Sequence, residues 1–261
     1  MGSFLKRAAK REDQESITPQ ESARTRFVRR FRRDGWHWYF AGYLVIISAL
    51  PYVAGLIFSI DNLSLFPMLI TAPIGGMLAA PQLCGLADTL LRSFRDEEQD
   101  SWWKTYRKVW KRNWKATLLP GAIFGTISAL QLFTLNYLAL EGDFAMFVWV
   151  AFTVLITTPI LSFLIVLLAV VEERFLMLVR NSVILCFHKP LRMLAALLVQ
   201  LIYWGLICWF FPKSLPVFIL TQFWLPTSVA TALIYPPVEK AFDLEKRILE
   251  IHAQEDNTTL D

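Results

Sequence analysis

Six long apolar runs, separated by short or strongly basic connections, constrain this chain more than anything else in it. They are Trp36–Ile60, Leu63–Leu91, Ala116–Leu140, Phe144–Val171, Leu191–Phe211 and Leu215–Tyr235. A helix needs about 20 mostly apolar residues to cross the hydrocarbon of a bilayer, and every run supplies that length. In lipid the backbone must satisfy its own hydrogen bonds, which favours helices. The expected fold is therefore all-α: a polytopic membrane protein with six transmembrane helices. Composition agrees, because only 18% of the residues are charged, against about 25% in a soluble domain.

Charge placement gives the runs a direction. Asp61-Asn62, Glu141-Gly142-Asp143 and Pro212-Lys213-Ser214 are short turns, so the runs pair into three helical hairpins. Of the 26 lysines and arginines, only Lys213 lies at a hairpin tip; the others lie in the termini or the longer connections. Short basic loops stay cytoplasmic. Both termini are thus expected inside the cell and the tips outside. This divides the chain into a basic N-terminal segment (1–35) without a cleavable leader, the six-helix domain (36–235) and a polar tail (236–261). The tail reads as helical, with Val238, Phe242, Ile248 and Ile251 able to lie against the bundle.

The connection between the second and third runs contains SWWKTYRKVWKRNWK, residues 101–115. Wound as a helix at about 100° per residue, it places Trp102, Trp103, Tyr106, Val109, Trp110 and Trp114 on one arc. Lys104, Arg107, Lys108, Lys111, Arg112 and Lys115 fall on the other. A single-strand nucleic-acid surface presents aromatics and cations together; here they segregate, so no nucleic acid is expected. An apolar face opposite a cationic face suits an amphipathic helix in the membrane interface, where cations meet anionic headgroups. Two readings stay open: a basic connector, or a docking surface for lipid or a partner.

LITAPI (69–74) recurs as LITTPI (155–160), each followed by an apolar half-helix, a basic stretch and another apolar run. FWLPTSVATALIYPP (223–237) resembles a third copy. Repeated helices broken near the midplane occur in transporters. Pro73 and Pro159 are expected to kink or break their helices, with Thr71, Thr157 and Thr158 satisfying the freed groups. Gly75 and Gly76, with Ala79 and Ala80, allow a neighbouring helix to approach. Asp88 is costly in lipid, but Arg92 one turn later can pair with it. Gln82, Gln131, Asn136, Gln200 and Gln222 can form interhelical hydrogen bonds or, with Asp88, line a polar cavity.

Catalytic constellations are missing from the sequence. Cys84, Cys186 and Cys208 are widely spaced and read as buried or cytoplasmic thiols. His37, His188 and His252 form no zinc motif. Glu172-Glu173-Arg174 suggests the intramembrane CAAX-type proteases, but Met177 stands where their pattern requires arginine. Neither enzyme activity nor a cofactor or metal is expected.

Thr71 to about Gly125 carries TAPIGGMLAAPQLCGLADTLLRSF, an acidic gap and SWWKTYRKVWKRNWKATLLPGAIFG, with Asn113 near the end of the basic aromatic loop. This order resembles the YesL-like family of bacterial membrane proteins. The resemblance implies a bacterial cytoplasmic membrane and a link to carbohydrate uptake, and it transfers no catalytic residue. The expected function is a non-enzymatic accessory or scaffold protein, with a membrane transporter as partner. The alternative is a small-molecule carrier or channel with a midplane site at proline-broken helices.

Overall fold

The computed structural model describes residues 23–95, 101–170 and 175–242. The chain divides into two units, residues 1–36 and 37–261. In the first, Arg33 pairs with Asp34 at 2.8 Å.

All the regular structure among the described residues is helical: α1 (Ala23–Asp61), α2 (Phe66–Phe94), α3 (Trp102–Glu141), α4 (Phe144–Val170), α5 (Phe175–His188), α6 (Pro190–Trp209), α7 (Leu215–Thr221) and α8 (Trp224–Phe242). Five are long and apolar enough to cross a membrane, and α7 with α8, bent by 50°, makes a sixth where the bent pair counts as one span. The protein is a multi-pass membrane protein.

Tight turns close the hairpins. Between α1 and α2 the buried Ser59 hydroxyl accepts from the Met68 N–H at 3.0 Å. Gly142 ends α3 with φ +77° and returns its N–H to Leu138 O, a left-handed conformation that a Cβ disfavours.

Glycine decides how closely the first helices pack. A methyl on Gly75 would lie 2.5 Å from the Tyr52 nitrogen on α1. One on Gly76 would strike the Gly121 carbonyl on α3, and one on Gly125 would lie 2.8 Å from the Ala72 carbonyl. The two adjacent glycines of α2 thus serve two different neighbours, and α2 packs extensively along α3. Polar bridges reinforce the packing: Tyr52 Oη to Ser128 Oγ at 3.0 Å, and Gln131 Nε2 to the Thr153 and Thr157 hydroxyls at 3.1 and 3.0 Å.

The apolar core is concentrated toward the basic end. Leu164 and Leu167 of α4, Leu178 and Leu185 of α5, Ala196 of α6, and Ala230, Ile234 and Val238 of α8 form one cluster with Cys84, Ala87 and Leu91 of α2. Val238, expected in the tail, is fully buried in it. Phe242 is the last residue of α8; Ile248 and Ile251, like Glu172-Glu173-Arg174, lie outside the described residues.

Several expectations require correction. Neither Pro73 nor Pro159 interrupts its helix. Thr71, Thr157 and Thr158 donate to the carbonyls of Pro67, Thr153 and Val154, not to those of Leu69 and Leu155, which the prolines leave without their i+4 donors. The two LIT(A/T)PI copies sit at different depths, near the start of α2 but in the middle of α4. The helix break occurs instead at Gln222, between α7 and α8. Cys208, expected among buried or cytoplasmic thiols, is exposed near the tip of α6.

Candidate docking surface at the cationic end of helix α3

No separate helix corresponds to residues 101–115. Trp102 begins α3 itself, which runs without interruption for 40 residues to Glu141. At about 1.5 Å per residue it is roughly 60 Å long, twice the hydrocarbon thickness. The cationic segment therefore continues the spanning helix, and the expectation of an independent helix lying flat in the interface is corrected.

Its aromatic arc divides. Trp102 and Tyr106 turn toward the protein: the Trp102 indole stacks on His37 with centroids 5.4 Å apart and planes within 10°, and its Nε1 donates to Thr89 Oγ1 at 3.3 Å. Tyr106 is buried against Gly85 and donates to Gln82 Oε1 at 2.6 Å. Val109, Asn113 and Thr117 extend this buried stripe toward Gly121. Trp103 is exposed, while Trp110 and Trp114 form a half-buried pair with centroids 4.9 Å apart.

The other face of the helix carries the charge. Lys104, Arg107, Lys108, Lys111, Arg112 and Lys115 are all exposed. Arg112 also reaches Ala169 O at 3.4 Å, which brings the end of α4 level with this part of α3. Below Lys115 the outward stripe becomes apolar through Leu119, Ile123 and Ile127, so the water–lipid boundary falls within about one turn of Lys115. Chemically the arrangement offers anion binding and aromatic contact on a rigid support.

Several of the polar residues suggested as cavity lining are bonded within the chain itself. Gln82 accepts from Tyr106, Asp88 pairs with Arg92 at 2.8 Å, and Thr157 accepts from Gln131. Gln200 accepts from Trp204 Nε1 at 3.1 Å. Pro73, Gly75 and Gly76 belong to the packed α2 helix, and Pro159 is buried in α4. These residues are spread along three helices and do not converge on one site. A shallow depression of about 210 Å³ lies elsewhere, at the α3–α4 tip between Leu138, Ala139, Gly142, Phe144 and Phe147. Among the described residues, no three of His, Cys, Asp and Glu are grouped to hold a metal ion.

Sequence reasoning treated Gln222 as one polar residue among several. Its backbone has φ 43° and its side chain is fully buried. The carbonyls that the break would orphan have side-chain donors: Ile219 O from Gln222 Nε2 at 3.0 Å, Leu220 O from Trp224 Nε1 at 3.0 Å, and Gln222 O from Tyr203 Oη at 2.7 Å. Gln222 Oε1 has no hydrogen-bond partner and faces Gly42, where a Cβ would lie 2.8 Å from it. The sequence signal was Pro226, four residues on: proline fits a helix's first turn far better than its interior, which favours a restart nearby.

No protein-family model, curated protein or solved structure matches this chain.

Proposed function

We propose that this chain is a non-enzymatic accessory or scaffold protein of a bacterial cytoplasmic membrane, with both termini inside, which holds a partner through the cationic end of α3. One observation carries the reading: six cations and Trp103 are exposed on an extension of a spanning helix, while within the bundle Gln82 bonds Tyr106 of α3, Gln131 bonds Thr157 of α4, and Asp88 pairs with Arg92 of its own helix. The built surface faces outward from the bundle. The basic termini and connections orient it toward the cytoplasm. The resemblance of residues 71–125 to YesL-like proteins extends the proposal to a membrane transporter of carbohydrate uptake as the partner.

The test is cross-linking in the native membrane followed by purification in mild detergent. The unaltered chain should retain a stoichiometric partner, which Lys104→Glu, Arg107→Glu, Lys108→Glu and Lys111→Glu together should release. A lone monomer from cross-linked membranes, or a partner indifferent to the four reversals, would overturn the proposal.

The break at Gln222 favours a second reading, a carrier with a midplane site. Against it stand the carbonyls of the break, which in such carriers coordinate ions but here accept from Gln222, Trp224 and Tyr203. Sugar uptake by proteoliposomes of the purified chain alone would replace the first reading with the second.

A further inference from the structure

The region between α4 and α6 reads from sequence as a basic connector, yet much of it is the 14-residue helix α5. At about 1.5 Å per residue it is roughly 21 Å long and falls short of the 30 Å needed to span. One face, with Leu178, Ser182, Leu185 and Cys186, is buried against α4, α6 and α8. The opposite face is also apolar: Leu176 is 78% exposed, Ile184 51% and Phe187 78%, followed by Leu191 at 82% on the first turn of α6. Three exposed cations accompany these side chains: Arg180 within the face, and Lys189 and Arg192 beyond its end.

A helix facing water would show polar residues on its outer side. A helix in the hydrocarbon centre would not place Arg180 in the middle of its exposed face without a large cost. Large apolar side chains with flanking cations, on a helix too short to cross, match the shallow zone where acyl chains meet headgroups. The position agrees: α5 follows the end of α4 that Arg112 of the cationic segment contacts.

We propose that α5 is a second membrane-binding element, lying in the basic-side leaflet. Leu176, Ile184, Phe187 and Leu191 enter the acyl region, while Arg180, Lys189 and Arg192 bind anionic phospholipid headgroups. Long basic side chains lay their methylenes on apolar surface and keep the charge at the headgroups, so Arg180 fits the apolar face. The inference needs only a membrane-embedded bundle and stands whether or not α3 binds a partner.

The test uses the full chain with Cys208→Ser, leaving buried Cys84 and Cys186 in place. Spin labels are placed singly at Leu176→Cys, Ile184→Cys and Phe187→Cys in lipid nanodiscs. Collisions with oxygen and with a water-soluble nickel chelate are compared in discs of phosphatidylcholine alone and in discs with about one anionic phosphatidylglycerol in three lipids. Labels at 184 and 187 should meet oxygen several-fold more than nickel, at shallow depth, and move deeper with anionic lipid. Lys189→Gln with Arg192→Gln should remove that shift. Free nickel access would put the face in water, and exclusion of both reagents would mean that a protein surface or a second copy covers it. A depth indifferent to lipid charge would remove the headgroup contact. Each of these results overturns the proposal.

Discussion

Gly76 and Gly121 pack backbone against backbone: a methyl on either residue would run into the main-chain carbonyl of the other. Overpacking costs about 1–3 kcal/mol and sometimes more. Gly121→Leu and Gly76→Leu should each lower stability in detergent by at least that amount, read as the shift of the unfolding midpoint. Gly205→Leu is the control, because its added Cβ meets nothing within 4 Å, and its midpoint should stay unchanged. Equal behaviour at positions 121 and 205 would dissolve the α2–α3 crossing.

Tyr203→Phe should loosen the α7–α8 bend. The hydroxyl pairs with Thr221 Oγ1 at 2.8 Å and donates to Gln222 O at 2.7 Å. Losing a donor to a buried carbonyl costs about 1–3 kcal/mol. Amide exchange at residues 219–225 should accelerate while α2 and α3 keep their protection. Unchanged exchange would mean that the bend is held by other contacts.

These two sites differ in how legible they are. Small residues at 75, 76, 79 and 80 announce a close helix contact from sequence, since no other role explains them so economically. They do not reveal that adjacent glycines face different helices. The bend at Gln222 is obscured because hydropathy reports the solvent of a segment and not its straightness. The same limit split α3: the apolar run starts near Ala116, where lipid begins, but the helix starts at Trp102. Helix α5 is obscured in the sequence because Arg180 within it, and Lys189 and Arg192 just beyond, break up the apolar segments FLMLV and VILCF, whose residues supply both its inward and outward faces. Asp88 was the clearest case: an acid four residues before an arginine predicts a pair, and the pair is present at 2.8 Å.

That pair should be worth keeping. Asp88 is buried and accepts from Arg92 Nε at the basic end of α2. Bonds to charged groups contribute about 1.5–3 kcal/mol. Asp88→Ala should destabilise the protein on that scale, and Asp88→Asn, which keeps an acceptor, should do so less. A neutral Asp88→Ala would show that Arg92 is held by its other surroundings.

Thiol labelling should distinguish the cysteines. Cys208 is exposed, whereas Cys84 and Cys186 are buried. Burial also pushes the Cys186 thiol up, which disfavours the reactive thiolate. The folded protein should take up one maleimide per chain and the denatured protein three. In intact cells an impermeant maleimide should reach Cys208 from outside; labelling only after the cells are opened would reverse the proposed orientation.

Helix α3 stands rather than lies, and this separates its cations by height. Lys115 is eleven residues beyond Lys104, a climb of about 16 Å on an α-helix. The headgroup zone is only about 5–8 Å deep on each side of the hydrocarbon. With the lipid boundary near Lys115, the proposed headgroup contact would fall to that residue and Lys111, whereas Lys104 and Arg107 would stand above it. On the proposed docking role, the same mast would offer its foot to the bilayer and its top to a protein that need never touch the membrane.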